Sequence, residues 1–217
     1  MYTPRDFVLE DTATIHQFLH AHPFAILVTT TPQGLVATHL PLMFDEQPAP
    51  HGTLIGHVSR ANLQWRDSDP AHEALAIFSG PETYVTPNWY AAKQETGRVV
   101  PTWNYAAIHV YGTLEFFDDP DRLRRIVTRL TDVHEAASPE PWKVADAPPV
   151  YIDSQLKAIV GFELRITRIE AKQKFNQNRS PEDRAGVIRG LRDLNDPRKT
   201  EVADLMTSLE PDHHPKV

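Results

Sequence analysis

Residues 23–44 constrain the fold more than any other stretch. PFAILVTT (23–30) is a continuous apolar run of strand length. Thr31-Pro32-Gln33-Gly34 places proline second and glycine fourth, which suits a type I turn. LVATHLPLMF (35–44) then returns as the second strand of a hairpin. Pro41 within it requires an edge position or a bulge, because proline brings no N–H to a ladder. Further strands are expected at TLIGHVS (53–59), at ALAIFSG (74–80, broken by Gly80-Pro81), at 106–116 and at 159–169. In the last of these, Val160, Phe162, Leu164 and Ile166 alternate with Gly161, Glu163, Arg165 and Thr167. Helix signals are fewer. Asp11 can cap a helix through His22, and a short helix is expected around Ala61–Asp67. Asp119-Pro120 opens one through Ala136, Ser180-Pro181-Glu182-Asp183 another, and Asp196-Pro197 a last one. Residues 91–100 read as a loop and 138–150 as a proline-rich link. No βαβ rhythm and no glycine-rich phosphate loop is present, which argues against Rossmann and P-loop folds. The pattern predicts an α+β protein, mainly antiparallel β, built as a barrel with peripheral helices and a helical C-terminus.

The 217 residues contain no cysteine, so disulfides, thiolate metal sites and a thiol nucleophile are excluded. No apolar run reaches the ~20 residues that span a bilayer, and MYTPRDFVLED lacks the apolar region of a signal peptide. The expected location is the cytoplasm, without membrane partners. The net charge of −7 argues against a broad nucleic-acid surface. The charge is uneven, however: residues 165–199 hold ten Lys or Arg and five acids.

Three polar clusters interrupt the apolar pattern. The first is Thr38, His39, Ser59, Arg60 and Asn62. The last three fall where a strand stops and a helix is expected to begin, and unpaired N–H groups at a helix start attract phosphate. Ser59 and Asn62 could equally cap that helix. Strand alternation puts Thr38 and His39 on opposite faces, so only one faces a given pocket without a bulge. The second cluster is VPTWNY (100–105). Trp103 could stack on a flat ring or serve a subunit interface, and Asn104 could pair with a ring edge. The third is KQKFNQNR (172–179), where Lys172, Lys174, Gln177 and Arg179 could meet a cofactor phosphate, a second anion or DNA. Together the clusters point to an anionic, aromatic ligand. His39, His57 and His109 could in principle form a three-imidazole metal site, but none has a compact spacing such as HExxH, and no metal is expected.

Six ordered segments resemble the PaiB-type FMN-binding negative transcriptional regulators, part of the split-barrel flavin group that includes pyridoxamine 5'-phosphate oxidase. They are MYTPRDF (1–7), PFAILVT (23–29), THLPL (38–42), GHVSRANLQW (56–65), VPTWNY (100–105) and IVGFELRITRIEAKQKFNQNR (159–179). The resemblance implies a six-stranded split β-barrel over residues 1–170, with a basic loop and helical extension (171–217) packed on it. It also implies a homodimer and an FMN cofactor. In the oxidase group a Ser-Arg-Lys sequence after the third strand holds the phosphate. Ser59 and Arg60 match it here, with Ala61 in place of Lys. The family's Gly-Lys-Phe-Lys before Gln-Asn-Arg is matched by Lys172, Lys174, Gln177, Asn178 and Arg179, with Ala171 in place of Gly.

The function expected from this resemblance is a flavin-linked transcriptional regulator or sensor. The alternative is an FMN-dependent oxidoreductase acting on an unidentified small molecule. Direct DNA binding would need the helices 181–193 and 197–209 to act as a helix-turn-helix. The second carries Glu201, Asp204 and Glu210 beside Arg198 and Lys199, a face that repels phosphate.

Overall fold

The computed structural model describes residues 1–48 and 50–209. Seven strands, β1 (Phe24–Thr31), β2 (Gly34–Pro41), β3 (Met43–Asp45), β4 (Thr53–Ser59), β5 (Ala74–Val85), β6 (Thr102–Phe117) and β7 (Ile159–Lys174), form one sheet in the order β2-β1-β5-β6-β7-β4-β3. The ladders β1–β2, β1–β5, β3–β4 and β4–β7 are antiparallel. The helices are α1 (Thr12–Ala21), α2 (Gln64–Asp67), α3 (Ala92–Glu95), α4 (Pro120–Glu135), α5 (Pro149–Leu156), α6 (Pro181–Asp193) and α7 (Pro197–Ser208). The protein is thus α+β, with an antiparallel sheet and peripheral helices.

The strand count is seven where six were expected, because the returning strand of the hairpin is divided at Leu42. Up to Pro41 the chain pairs with β1, and from Met43 it pairs with β4. β2 and β3 are the two ends of the sheet order, yet one residue separates them in the chain. Consecutive Cα atoms lie about 3.8 Å apart, so the sheet ends are drawn together and the sheet curls. Pro41 sits on the edge strand, where its missing N–H costs no ladder bond.

Three further expectations change. β5 does not stop at Gly80-Pro81 but continues to Val85. The β1 ladder ends at the Ala25–Phe78 pair, so Pro81 lies beyond it, free of that neighbour's hydrogen-bonding demand. The proline-rich link runs at its end into α5, which the sequence did not signal and whose Ile152 and Leu156 pack with Leu123 of α4. β7 runs on to Lys174, so Lys172 and Lys174 belong to a strand and not to a loop. The capping signals hold: Asp11, Asp119, Ser180 and Asp196 accept from the backbone N–H of Thr14, Arg122, Asp183 and Arg198.

The chain forms two compact units. The first comprises Met1–Ile15, Ser79–Ile108 and the described part of Glu170–Val217; the second comprises His16–Phe78 and His109–Ile169. The core of the first includes Phe7, Val85, Ile108, Phe175, Val187, Leu191 and Met206. That of the second includes Leu27, Leu54, Phe78, Phe162 and Leu164. On the outer face of β1, β2 and β5, the paired positions Ile26, Val28, Ala37, Leu75 and Ile77 are apolar and none is buried. Phe24 and Leu35 on the same face are 64% and 76% exposed.

Candidate functional site

In the first unit, the extension of β7 builds a cationic group. Lys172 and Lys174 are two residues apart on the strand and share a face. Lys172 is buried. Its Nζ donates to the Tyr2 carbonyl (3.1 Å) and lies 5.0 Å from the centre of the Tyr105 ring. Lys174 Nζ donates to Thr102 Oγ1 (2.5 Å) and to the Trp103 carbonyl (2.7 Å). The chain then turns at Asn176, where φ is +62°. The Gln177 amide closes that turn, accepting from the Phe175 N–H and donating to the Gln173 carbonyl. Asn176 Nδ2 donates to the Tyr90 hydroxyl (3.0 Å), and the Arg179 guanidinium lies 4.9 Å from the centre of the same Tyr90 ring. Tyr90 thereby fixes both ends of the turn.

Burial first, then the charges of Lys172 and Arg179, pushes the Lys174 ammonium below its ordinary pKa. Glu170 of the same strand is engaged by the Met1 ammonium. Among the described residues no carboxylate pairs with Lys172, Lys174 or Arg179. Trp103, whose carbonyl receives Lys174, is 52% exposed. Its indole meets the half-exposed Tyr84 ring edge-on at 6.1 Å. A cationic group with no counter-charge beside an exposed indole suits an anion carrying a flat ring. Asn104 is placed differently. It is fully buried, its Nδ2 meets Met206 Sδ at 3.4 Å, and its Oδ1 has no hydrogen-bond partner among the described residues.

The second unit holds the other expected residues, and there most of their polar groups are taken up by the protein itself. The helix expected from Ala61 begins only at Gln64 and lasts one turn. The N–H groups before it are taken: that of Ala61 by Ser59 Oγ, that of Asn62 by the Ser59 carbonyl, and that of Gln64 by Asn62 Oδ1. Gln64 is buried. Its Oε1 accepts from Thr38 Oγ1 (2.6 Å), and its Nε2 faces the Leu27 and Val36 carbonyls and Thr29 Oγ1. Asn62 Nδ2 donates to Thr38 Oγ1 (2.8 Å). Thr38 therefore points inward, while His39 is exposed on the outer face near the Phe24 ring. Each of the three Arg60 guanidinium nitrogens has a partner. Nε donates to the Lys157 carbonyl (2.9 Å), Nη2 to the Ile159 carbonyl (3.2 Å), and Nη1 lies 3.5 Å from Asp118.

No group of three or more His, Cys, Asp or Glu among the described residues is arranged to hold a metal ion. His57, in β4, is held neutral to lower pH by burial, and its Nδ1 has no partner among the described residues. Sequence reading missed Gln64, Tyr90, Thr102 and Tyr105. Gln64, Thr102 and Tyr105 stood inside segments already singled out, and Tyr90 did not. Gln64 and Tyr90 act on residues distant in the chain.

Comparison with known proteins concerns the family and the cofactor. The family model described as "Putative FMN-binding domain" matches residues 1–168. The chain is 33% identical over 206 residues to the "Protease synthase and sporulation protein PAI 2" of Bacillus subtilis (strain 168), covering 95% of this chain and 96% of that one. Among solved structures, the flavocytochrome Anf3 from Azotobacter vinelandii aligns with a TM-score of 0.59 at 14% identity, over 77% of this chain and 69% of that one. An FAD and heme binding protein from Mycobacterium smegmatis aligns at 0.54 and 16% identity, over 76% and 72%. These two likenesses concern the fold. The chain belongs to the FMN-binding family of PaiB type. Its cofactor is FMN. The residues present fit that group: a phosphate monoester dianion needs cationic donors without a competing carboxylate, and the Lys172–Lys174–Arg179 group supplies them.

Proposed function

We propose that the protein is a cytoplasmic, homodimeric flavin sensor that regulates transcription, with FMN held at the Lys172, Lys174, Arg179 and Trp103 site of the first unit. The observation that carries this reading is the cationic group without a counter-charge beside an exposed indole. Bound FMN supplies reversible redox chemistry. The chain holds the anion, offers Trp103 as a stacking surface, and keeps Lys174 oriented through Thr102 and the Trp103 carbonyl. The regulatory part of the reading comes from likeness to the Bacillus sporulation protein. The dimer is supported by the apolar outer face of β1, β2 and β5, which requires cover.

Direct reading of DNA by α6 and α7 has little support. Arg184 of α6 is buried and donates to the Met206 and Leu209 carbonyls at the end of α7. Arg192 pairs with Asp204. Two of the cations a recognition surface would need are thus committed inside the helix pair.

Absorbance and mass analysis of the purified protein, before and after incubation with FMN, tests the reading. A bound oxidised-flavin spectrum is expected. No flavin bound after incubation would overturn the proposed site. Rapid bleaching of the bound flavin by NADH or NADPH would replace the sensor by an oxidoreductase.

A further inference from the structure

Two features offer a cation for the FMN phosphate, and they are built differently. The Arg60 guanidinium uses all three nitrogens: two on the carbonyls of Lys157 and Ile159, the third facing Asp118. It pins the 59–63 turn to the start of β7. A phosphate there would compete with two backbone acceptors and a carboxylate. The backbone N–H groups around Arg60 are also occupied, that of Arg60 itself by the Ala158 carbonyl.

The group in the first unit has the opposite character. Arg179 lies against the Tyr90 ring, and among the described residues its guanidinium has no hydrogen-bond acceptor. Stacking orients the fork and leaves its N–H edge open. Lys174 uses two of its three protons, on Thr102 and Trp103. Lys172 is held in place by Tyr2 and Tyr105 and adds its charge without a carboxylate partner. Bringing a dianion to these three cations removes a mutual repulsion that Lys174 already registers.

Resting on the FMN reading above, we infer that the terminal phosphate of FMN is held by Lys174 and Arg179, backed by Lys172, and that Arg60, the residue matching the Ser-Arg phosphate motif, is a structural pin. The departure from Lys at Ala61 agrees with this: a phosphate motif relieved of its task no longer needs its second cation.

The test compares FMN with riboflavin, which lacks the phosphate, in the full-length parent, Lys174→Gln, Arg179→Gln and Arg60→Gln. Titration by flavin fluorescence gives the affinity for each. The parent should prefer FMN. Lys174→Gln and Arg179→Gln should each lose about ten- to a hundredfold in FMN affinity, the worth of a charge-assisted hydrogen bond, with riboflavin affinity unchanged. Unchanged riboflavin binding also shows that the variant is folded. Arg60→Gln should lower the melting temperature yet keep the parent's FMN-to-riboflavin ratio. If Arg60→Gln abolishes the ratio while Lys174→Gln and Arg179→Gln preserve it, the assignment is overturned and flavin binding stands. If the parent binds neither flavin, the FMN site itself falls, and this inference with it.

Discussion

The indole of Trp89 occupies the space that a side chain on Gly190 would need. A β-carbon built on Gly190 would stand 2.4 Å from Cε2 and Nε1 of Trp89, and one on Gly186 would stand 2.0 Å from the Trp89 carbonyl oxygen. The two glycines are one turn apart on α6, so the helix presents a smooth face against which Trp89 is set. This contact lies just before Tyr90, the residue that steadies Asn176 and Arg179.

In an ordinary helix interior, Gly→Ala gains up to about 1 kcal/mol. Here the sign should reverse. Gly186→Ala should destabilise by roughly 1–3 kcal/mol or more, since the obstructing atom is backbone and cannot rotate away. Gly190→Ala should cost less, because an indole can tilt. Thermal denaturation of both variants checks this. A raised melting temperature for Gly186→Ala would mean that α6 does not rest on Trp89.

The Gln64 side-chain amide joins β1 to β2, and its backbone N–H donates to Asn62 of the 59–63 turn. Gln64→Leu removes the acceptor of the Thr38 hydroxyl and the side-chain donor that faces the Leu27 and Val36 carbonyls. A loss of roughly 2–4 kcal/mol is expected, read in urea as a lower midpoint at unchanged slope. An unaltered midpoint would show that the network is not a source of stability.

The strands and caps were legible because their signals are local: alternation in 159–169, and Asp or Ser immediately before proline at the helix starts. The break at Leu42 was not, because it depends on which strands flank Pro41 and Met43 in space. Within the candidate site, the cationic residues could be read from the 172–179 segment. Two things could not be read. One was that Arg60 spends its donors on Lys157 and Ile159, nearly a hundred positions away. The other was that Asn104 falls on the inward register of β6, with Ala106 and Ile108. Strand parity would have revealed the latter had β6 been extended back to Thr102. α5 was hidden by prolines that in fact begin it, Pro149 being its first residue.

His57 supplies a pH dependence. Burial lowers its pKa in the folded protein below the ordinary 6.5. Between the two values the unfolded chain binds more protons, so stability rises with pH through that window and is complete above about 6.5. Acidification from pH 7 to about 5 should therefore cost the parent more stability than it costs His57→Phe, in which this titration is gone. Urea melts at both pH values measure the difference. Equal pH slopes in parent and variant would refute a buried, neutral His57.

The outer face of β1, β2 and β5 makes the last prediction. Ile26 pairs directly with Ile77, and Val28 with both Ala37 and Leu75, so the apolar positions form one continuous patch on the second unit. If a second copy of the chain covers it, light scattering at micromolar concentration should give about twice the 24.6 kDa chain mass. Ile26→Glu places a carboxylate in the middle of the patch. In the dimer that charge would be desolvated without a partner, at a cost of several kcal/mol; in the monomer it would face water. The variant should therefore run at the single-chain mass while keeping the parent's far-ultraviolet circular dichroism. A parent that is monomeric at that concentration removes the dimer from the proposed function. A dimer that survives Ile26→Glu places the interface on another face, for which the exposed Tyr84–Trp103 pair would then be the surface to alter.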